Sequence, residues 1–237
     1  MTLKKFKLTK KQKKWLWSAL LLVLALLVRL IFPTGEDVAH AVSVEDVPAY
    51  SGQPYVIIND GIPLFTEDEL VADSYEYYGQ LDGLGRCTVT MACVGRDLMP
   101  MEDRGDIGKV KPTGWVQNFY DNVDGGALYN RCHLIGFQLT GENANKENLI
   151  TGTRYMNVDG MLPFEDQVAE YVKETGNHVL YRVTPVFKGD DLVASGVQME
   201  AQSVEDNGKG LQFHVYVYNV QPGIVIDYAT GENYAEQ

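Results

Sequence analysis

The sequence predicts a mixed α+β domain built on a central antiparallel sheet and preceded by an apolar N-terminal segment. Residues 178–187, 191–201 and 211–220 are rich in β-branched and aromatic residues, and short polar turns join them as in an antiparallel meander. Residues 161–173 instead place apolar side chains at helical spacing, and Gly176 is positioned to end that helix. Together these patterns predict a sheet covered by at least one helix.

The first 33 residues differ in composition from the rest of the chain. Residues 1–14 hold seven lysines and no acid, and residues 15–33 are apolar apart from Arg29. This order predicts a basic cytoplasmic stub and a single-pass transmembrane signal anchor, with the following domain on the extracellular side of the cell membrane. A cleaved signal peptide and a secreted product are the alternative, because residues 39–41 (Ala-His-Ala) fit a small-x-small cleavage site.

The part of the chain that follows is strongly acidic. Residues 34–47 are acidic and poor in apolar residues, which predicts a linker, and the domain proper is expected to span residues 48–237. After residue 33 the chain has 12 basic and 32 acidic residues, a formal charge of −20. Such a surface repels nucleic acid at long range, so any nucleic-acid function requires locally concentrated positive charge.

Two strands are predicted ahead of the meander. Residues 54–60 are rich in β-branched residues and end in an Asn-Asp-Gly turn at residues 59–61, and residues 87–95 are rich in β-branched and small residues. Residues 97–115 are interrupted by Pro and Gly, which predicts a loop.

The stretch LYNRCHLIGFQLTGENANKENLITGTRYMN, residues 128–157, concentrates asparagine around one of only four histidines. Amide side chains are costly to bury without partners, so this density indicates an ordered polar loop or a site. We predict a strand over residues 128–134, then an irregular loop, then the helix. Asn157 and Glu165 are eight residues apart, about 2.2 helical turns, so their side chains can point to one side. Pro163 between them is expected to kink or split the helix.

This arrangement lets His133 on the strand face Asn157 and Glu165 on the helix, with Arg131 nearby. Hydrolysis of a phosphodiester needs such groups: an imidazole that takes a proton from water, oxygen ligands for Mg²⁺, and a guanidinium that binds phosphate. The residues by themselves support a hydrolytic or metal site.

The segment resembles the DNA/RNA non-specific endonucleases with a ββα-metal site, specifically the DNA-entry nuclease branch. The hallmark of that family is Asp-Arg-Gly-His, and the matching residues here are Asn130, Arg131, Cys132 and His133, so two of the four differ. The likeness runs from about Tyr50 to Tyr228 and is specific as a set of ordered motifs.

By this resemblance, His133 corresponds to the general base, Arg131 to a phosphate-binding arginine and Asn157 to the metal-ligating asparagine. Asn148 corresponds to a supporting site asparagine, and Glu165 to the glutamate that holds a water at the metal. The resemblance implies Mg²⁺ as cofactor, with Mn²⁺ as the alternative, and DNA as substrate, with RNA as the alternative. The sequence indicates no protein partner.

Four further basic residues are predicted to contact substrate phosphate. On so acidic a domain, few cations are available to bind a polyanion. The residues are Arg104, Lys109 and Lys111 in the predicted loop, and Arg182 in the first strand of the meander.

Cys132 is the sharper departure from the family pattern. If the glycine of the hallmark needs a positive φ, a Cβ at that position is strained. Neighbouring strand residues point to opposite faces, so Cys132 is expected to face away from His133 and to be a buried, inert thiol. With Cys87 and Cys93, it leaves at least one cysteine unpaired in a monomer.

The sequence therefore predicts an exported, Mg²⁺-dependent endonuclease with little sequence preference. One alternative is a catalytically silent relative that binds nucleic acid or a surface partner, with Asn130 and Cys132 as signs of decay. A toxin-type nuclease is a second alternative, although the chain shows no delivery module.

Overall fold

The computed structural model describes residues 42–236 and contains ten strands, a short helix and a long helix. In chain order these are β1 (Tyr55–Ile57), β2 (Tyr75–Tyr78), β3 (Thr90–Val94), β4 (Tyr129–His133), α1 (Phe137–Thr140), β5 (Leu149–Thr153), α2 (Leu162–Thr175), β6 (Val179–Val186), β7 (Gly196–Ser203), β8 (Gln212–Tyr218), β9 (Ile224–Ile226) and β10 (Asn233–Ala235). Six strands form one antiparallel sheet in the order β1-β8-β7-β6-β3-β2.

The central sheet confirms the predicted antiparallel architecture. The meander is β6, β7 and β8, which lie side by side with Val183 opposite Met199 and Met199 opposite Val215. The predicted strands nearer the N-terminus are β1, which adds to β8, and β3, which adds to β6. The predicted loop at residues 97–115 contains no strand or helix.

The prediction of an irregular loop after β4 was wrong in part. Residues 149–153 form β5, which pairs antiparallel with β4 and places Leu149 opposite His133. All five residues of β5 are buried. The side chain of Asn219 binds the backbone of β5 along the edge that does not pair with β4. Its Oδ1 accepts a hydrogen bond from the Thr153 amide, and its Nδ2 donates to the Thr151 carbonyl. A two-stranded sheet therefore lies beside the main sheet.

The helix that follows β5 starts differently from the prediction. A π-helical turn, Met156–Met161, precedes α2. Pro163 is the second residue of α2 and directly follows the π turn, where the Leu162 amide donates to the Asn157 carbonyl. Because proline has no N–H to donate, it cannot extend this series of bonds, and the helical run changes from π to α at this point. Gly176 ends the helix with a φ of 76°, as predicted.

The two faces of the main sheet are covered by different parts of the chain. Val215 and Val217 face the side of α2 and belong to the main hydrophobic core. Tyr216 and Tyr218 face the opposite side, where residues 42–47, the described end of the predicted linker, pack against them. The predicted stub and anchor at residues 1–33 lie outside the described residues. Within residues 42–236, no helix is long and apolar enough to cross a membrane.

Cys132 is fully buried in the main core, away from the surface. Its φ is not positive, so the strain that the family's glycine suggested is absent. Its thiol fills the space above Gly152, where an added Cβ would lie 2.4 Å from Sγ. Burial raises the pKa of this thiol, and all three cysteines are unpaired. These facts agree with the predicted inert thiol.

Cys132→Gly should lower the free energy of unfolding by roughly 1–3 kcal/mol, because it empties a packed position and places glycine within a strand. Denaturant unfolding of the variant and the parent measures the difference. Cys132→Ala, which keeps the Cβ, is the matched control and should lose less. An unchanged or increased stability of Cys132→Gly would show that position 132 is strained after all.

Candidate active site

A cleft of about 600 Å³ opens between β4, the π turn and the start of α2. Its lining brings together residues that are far apart in sequence. Five of the residues predicted as site residues line it: Arg104, Arg131, His133, Asn157 and Glu165.

His133 ends β4 and is held by two hydrogen bonds. Its Nε2 lies 2.7 Å from the carbonyl oxygen of Asn143, and its Nδ1 lies 3.2 Å from Nη2 of Arg104. A carbonyl only accepts and a guanidinium only donates, so Nε2 carries the proton and Nδ1 carries the lone pair. Burial lowers the pKa of His133 to about 4, and the charge of Arg104 acts in the same direction. The imidazole is therefore neutral near pH 7, with Nδ1 as its basic atom.

Glu165, in the first turn of α2, has a carboxyl group that is bonded to no side chain or backbone group of residues 42–236. Only 9% of the residue is exposed, and burial raises the pKa of its carboxyl to about 8. Within residues 42–236 it accepts no hydrogen bond and makes no ion pair, although the cleft reaches it. Gly136 leaves room for it, since a Cβ there would lie 2.5 Å from Oε2. A buried carboxylate of this kind is favoured in its charged form when a cation binds beside it.

Asn157 lies in the π turn, one residue after Met156. Eight residues of regular α-helix turn through about 800°, which would leave Asn157 and Glu165 about 80° apart around the axis. A π turn winds less per residue, so it brings the two side chains nearer to one face. The Asn157 side chain makes no hydrogen bond to the described part of the chain. Its amide oxygen is therefore available to a ligand in the cleft.

Asn157 and Glu165 are the residues that can hold a divalent cation. Both offer oxygen, which Mg²⁺ and similar hard cations prefer. Within the described residues, no three His, Cys, Asp or Glu side chains are grouped as a metal site. A metal here would rest on one amide oxygen, one carboxylate and water, which fits an ion that keeps several waters.

Arg131 lines the cleft but is already engaged by the loop beside it. Its Nη2 donates to the Gly108 carbonyl at 2.8 Å, and its Nε donates to the Val110 carbonyl. Its guanidinium also stacks on the Trp115 ring, 4.3 Å from the ring centre. Arg131 thus holds the loop that carries Arg104 against β4.

Asn148 lies outside the cleft and is fully buried beneath it. Its Nδ2 donates to the Ile135 carbonyl and its Oδ1 accepts from the Ile135 amide, both at 2.9 Å. These two bonds fix the turn that follows His133. Its role as a supporting site asparagine stays a prediction.

The structure does not bring the remaining predicted residues to the cleft. Lys109 and Lys111 are exposed on the loop but do not line the cleft. Arg182 lies in a buried cluster on the main sheet, where its Nε is 2.8 Å from Glu200 and its Nη1 is 3.3 Å from Glu69.

Sequence reasoning missed Arg154, which also lines the cleft. The available signal was its place three residues before Asn157, in a domain with few basic residues. The cleft therefore contains three arginines, Arg104, Arg131 and Arg154, and one acidic residue, Glu165. The acidic composition predicts long-range repulsion of nucleic acid, but arginines concentrated in a cleft can attract a polyanion locally even on an acidic domain.

A strand pair and helix here present a neutral histidine, an amide and a carboxyl group in a cleft lined by three arginines, which is an arrangement suited to hydrolysis of a phosphodiester. The sequence profile of the DNA/RNA non-specific endonucleases matches residues 66–205, more than half of the chain. The chain belongs to this family, and it is an endonuclease.

Solved structures of nucleases share the fold. The NucA nuclease from Streptococcus agalactiae, solved with a magnesium ion bound, aligns with a TM-score of 0.71 and 25% identity over 82% of this chain and 92% of its own. Its metal-free structure aligns with a TM-score of 0.70 over the same shares. The Sda1 nuclease, solved with a bound zinc ion, aligns with a TM-score of 0.64 and 24% identity over 78% of this chain and 97% of its own.

Proposed function

We propose that this endonuclease hydrolyses DNA without sequence preference, with His133 as the general base and a divalent cation at Asn157 and Glu165. The observation that carries the proposal is the state of His133: its Nε2–H is committed to a carbonyl, which leaves Nδ1 as a proton acceptor in the cleft. RNA is the alternative substrate, because the proposed contacts are to the phosphate, which DNA and RNA share.

In the proposed reaction, Nδ1 of His133 takes a proton from a water as the water oxygen forms a bond to phosphorus. The bond from phosphorus to the leaving ester oxygen breaks, and that oxygen leaves with the electron pair and is then protonated by solvent. The Asn143 carbonyl keeps the ring oriented and stabilises the imidazolium that forms. A divalent cation, when bound, neutralises the phosphate and the charge that develops on the leaving oxygen.

Arg104 must move for this reaction to occur. Nδ1 has one lone pair, and in the free enzyme that lone pair accepts from Nη2 of Arg104. Arg104 is exposed and makes no other hydrogen bond in the described part of the chain. A substrate phosphate offers its guanidinium a stronger, charge-assisted partner. Substrate binding therefore frees the base and places Arg104 on the phosphate.

Mg²⁺ is the proposed cation, with Mn²⁺ as the alternative. The oxygen character of Asn157 and Glu165 supports a hard cation. The magnesium-bound NucA structure supports the same choice, whereas the zinc ion in Sda1 is an argument for testing several metals.

The proposed location is the outer face of the cell membrane, with residues 15–33 as the anchor. The lysine-rich stub and the apolar run support it. Protease added to intact cells should release the domain. Recovery of a chain beginning at Val42 from the culture supernatant would instead support the cleaved signal peptide.

Plasmid digestion by the purified full chain tests the proposed function. We expect cleavage in Mg²⁺ buffer and none after EDTA, with activity restored by excess Mg²⁺. Binding of plasmid with no cleavage in Mg²⁺, Mn²⁺ or Zn²⁺ would instead support the catalytically silent alternative.

The pH dependence of kcat/KM gives a separate prediction. His133 must be neutral to accept a proton, and burial lowers its pKa to about 4. As the pH falls through that value the ring gains a proton and loses its lone pair, so the loss of activity that is due to the base should lie in that range when the divalent ion is saturating and holds Glu165 in its charged form. A solvent-exposed histidine would give a fall near pH 6.5. Initial rates at saturating divalent ion measure the profile, and a fall centred near pH 6.5 would contradict the buried base.

A further inference from the structure

Arg154 lines the cleft but has no part in the proposed chemistry. It directly follows β5, and its backbone amide donates to the Leu128 carbonyl at 2.8 Å, which fixes the base of the side chain. Its guanidinium contacts Asp124, with Nε at 3.0 Å and Nη2 at 2.8 Å from the same Oδ2 atom. Its Nη1 makes no hydrogen bond within residues 42–236, so one edge of the guanidinium stays open.

Arg154 can bind a ligand although it contacts Asp124. The side chain of Asp124 is 78% exposed, and that of Arg154 is 35% exposed. An ion pair with so exposed an acid is weakened by solvent and salt. A phosphate can bind a guanidinium through two parallel hydrogen bonds, whereas Asp124 uses a single oxygen here. Asp124 therefore orients the guanidinium and yields to a phosphate.

Arg154 is well separated along the strands from His133. His133 pairs with Leu149 across the small sheet, and Arg154 is five residues beyond Leu149. The four strand steps from Leu149 to Thr153 span roughly 13 Å, and Arg154 follows them at the end of β4 opposite to His133, beside the Leu128 carbonyl. Arg104, not Arg154, contacts the imidazole, so Arg154 is placed to meet a different phosphate from the one that reacts.

We propose that Arg154 forms a second phosphate subsite, which binds the nucleic-acid backbone at least one nucleotide away from the scissile phosphate. This inference rests on the proposed reaction at His133 and adds to it a second contact with the same strand, at the end of the cleft away from His133. Arg154 contributes to binding the strand and does not take part in bond breaking.

The test compares Arg154→Ala with the parent full chain on oligodeoxynucleotides of increasing length. With a strand of about 20 nucleotides, KM should rise about 10-fold while kcat changes less than about twofold, because one phosphate contact is lost from binding. With a dinucleotide, measured as substrate or as competitive inhibitor, the variant and the parent should match. The slope of log affinity against log salt should become shallower by about one for the long strand.

Two further variants separate a specific contact from a change in net charge. Lys146→Ala also removes one positive charge, but Lys146 is exposed and lies outside the cleft lining, so it should leave KM and the salt slope near the parent values. Arg154→Lys should keep most of the salt slope, since it keeps the charge. Equal effects of Arg154→Ala on the dinucleotide and the long strand, or none on either, would overturn the subsite. A parent that cleaves no strand would instead overturn the proposed function.

Discussion

His133→Ala should lower kcat by about 10² to 10⁴-fold, the usual contribution of a general base. The imidazole is neutral and has its Nδ1 lone pair in the cleft, and no other histidine lines the cleft within residues 42–236. KM should change little, because in the proposed reaction arginines, and not His133, bind the substrate phosphates. Initial rates on plasmid in Mg²⁺ buffer, with preparations free of contaminating nuclease, measure the effect.

Two controls connect this loss to the missing base. His133→Gly leaves a hole the size of the ring, so added imidazole should restore measurable cleavage, with a pH dependence that follows the protonation of free imidazole. His178→Ala removes a histidine that pairs with Glu205 outside the cleft, and it should keep the parent rate. If His133→Ala cuts plasmid as fast as the parent, this cleft is not the active site.

Asn157→Ala should lower activity by weakening the binding of Mg²⁺. Loss of an oxygen ligand should raise the Mg²⁺ concentration needed for half-maximal activity by at least about 10-fold, and part of the rate should return at high Mg²⁺. Titration calorimetry of Mg²⁺ with the parent and the variant measures the same loss without relying on turnover.

The matched control for this variant is Asn122→Ala. Asn122 is an exposed asparagine whose side chain donates to the Pro222 carbonyl, outside the cleft. The two substitutions remove the same amide, so only the Asn157 variant should change the Mg²⁺ dependence. A lower rate that no concentration of Mg²⁺ restores, with unchanged Mg²⁺ binding, would place Asn157 outside the metal site.

The long periodic elements of the fold could be predicted from sequence. The strands of the meander are seven or eight residues long and alternate apolar with polar or aromatic residues, although nearly all of these residues are buried. α2 keeps an apolar face and ends in a glycine with positive φ. Such patterns hold because one side of each element meets the main core. β5 was missed because it has only five residues, Leu-Ile-Thr-Gly-Thr, which follow a polar run and include a glycine, so too few positions are available to show a strand pattern.

The sequence predicted the site less completely than it predicted the fold. The spacing of Asn157 and Glu165 was judged with α-helical geometry, whereas a π turn orients them. The position of Arg182 in a strand gives no information on its partner, which is the distant Glu200. Arg154 had no motif of its own and is brought to the cleft by the pairing of β4 with β5.

The contrast between a cationic cleft and an acidic exterior bears on how the enzyme travels along DNA. A protein slides on a duplex when basic residues outside its active site hold the backbone between catalytic events. Here the chain after residue 33 has 12 basic and 32 acidic residues, and three of those basic residues are in the cleft. A cut strand that leaves the cleft meets a repulsive surface, so each cut is a separate encounter. We therefore expect a distributive enzyme, with nicks scattered over the whole plasmid population before any one molecule is degraded to small fragments.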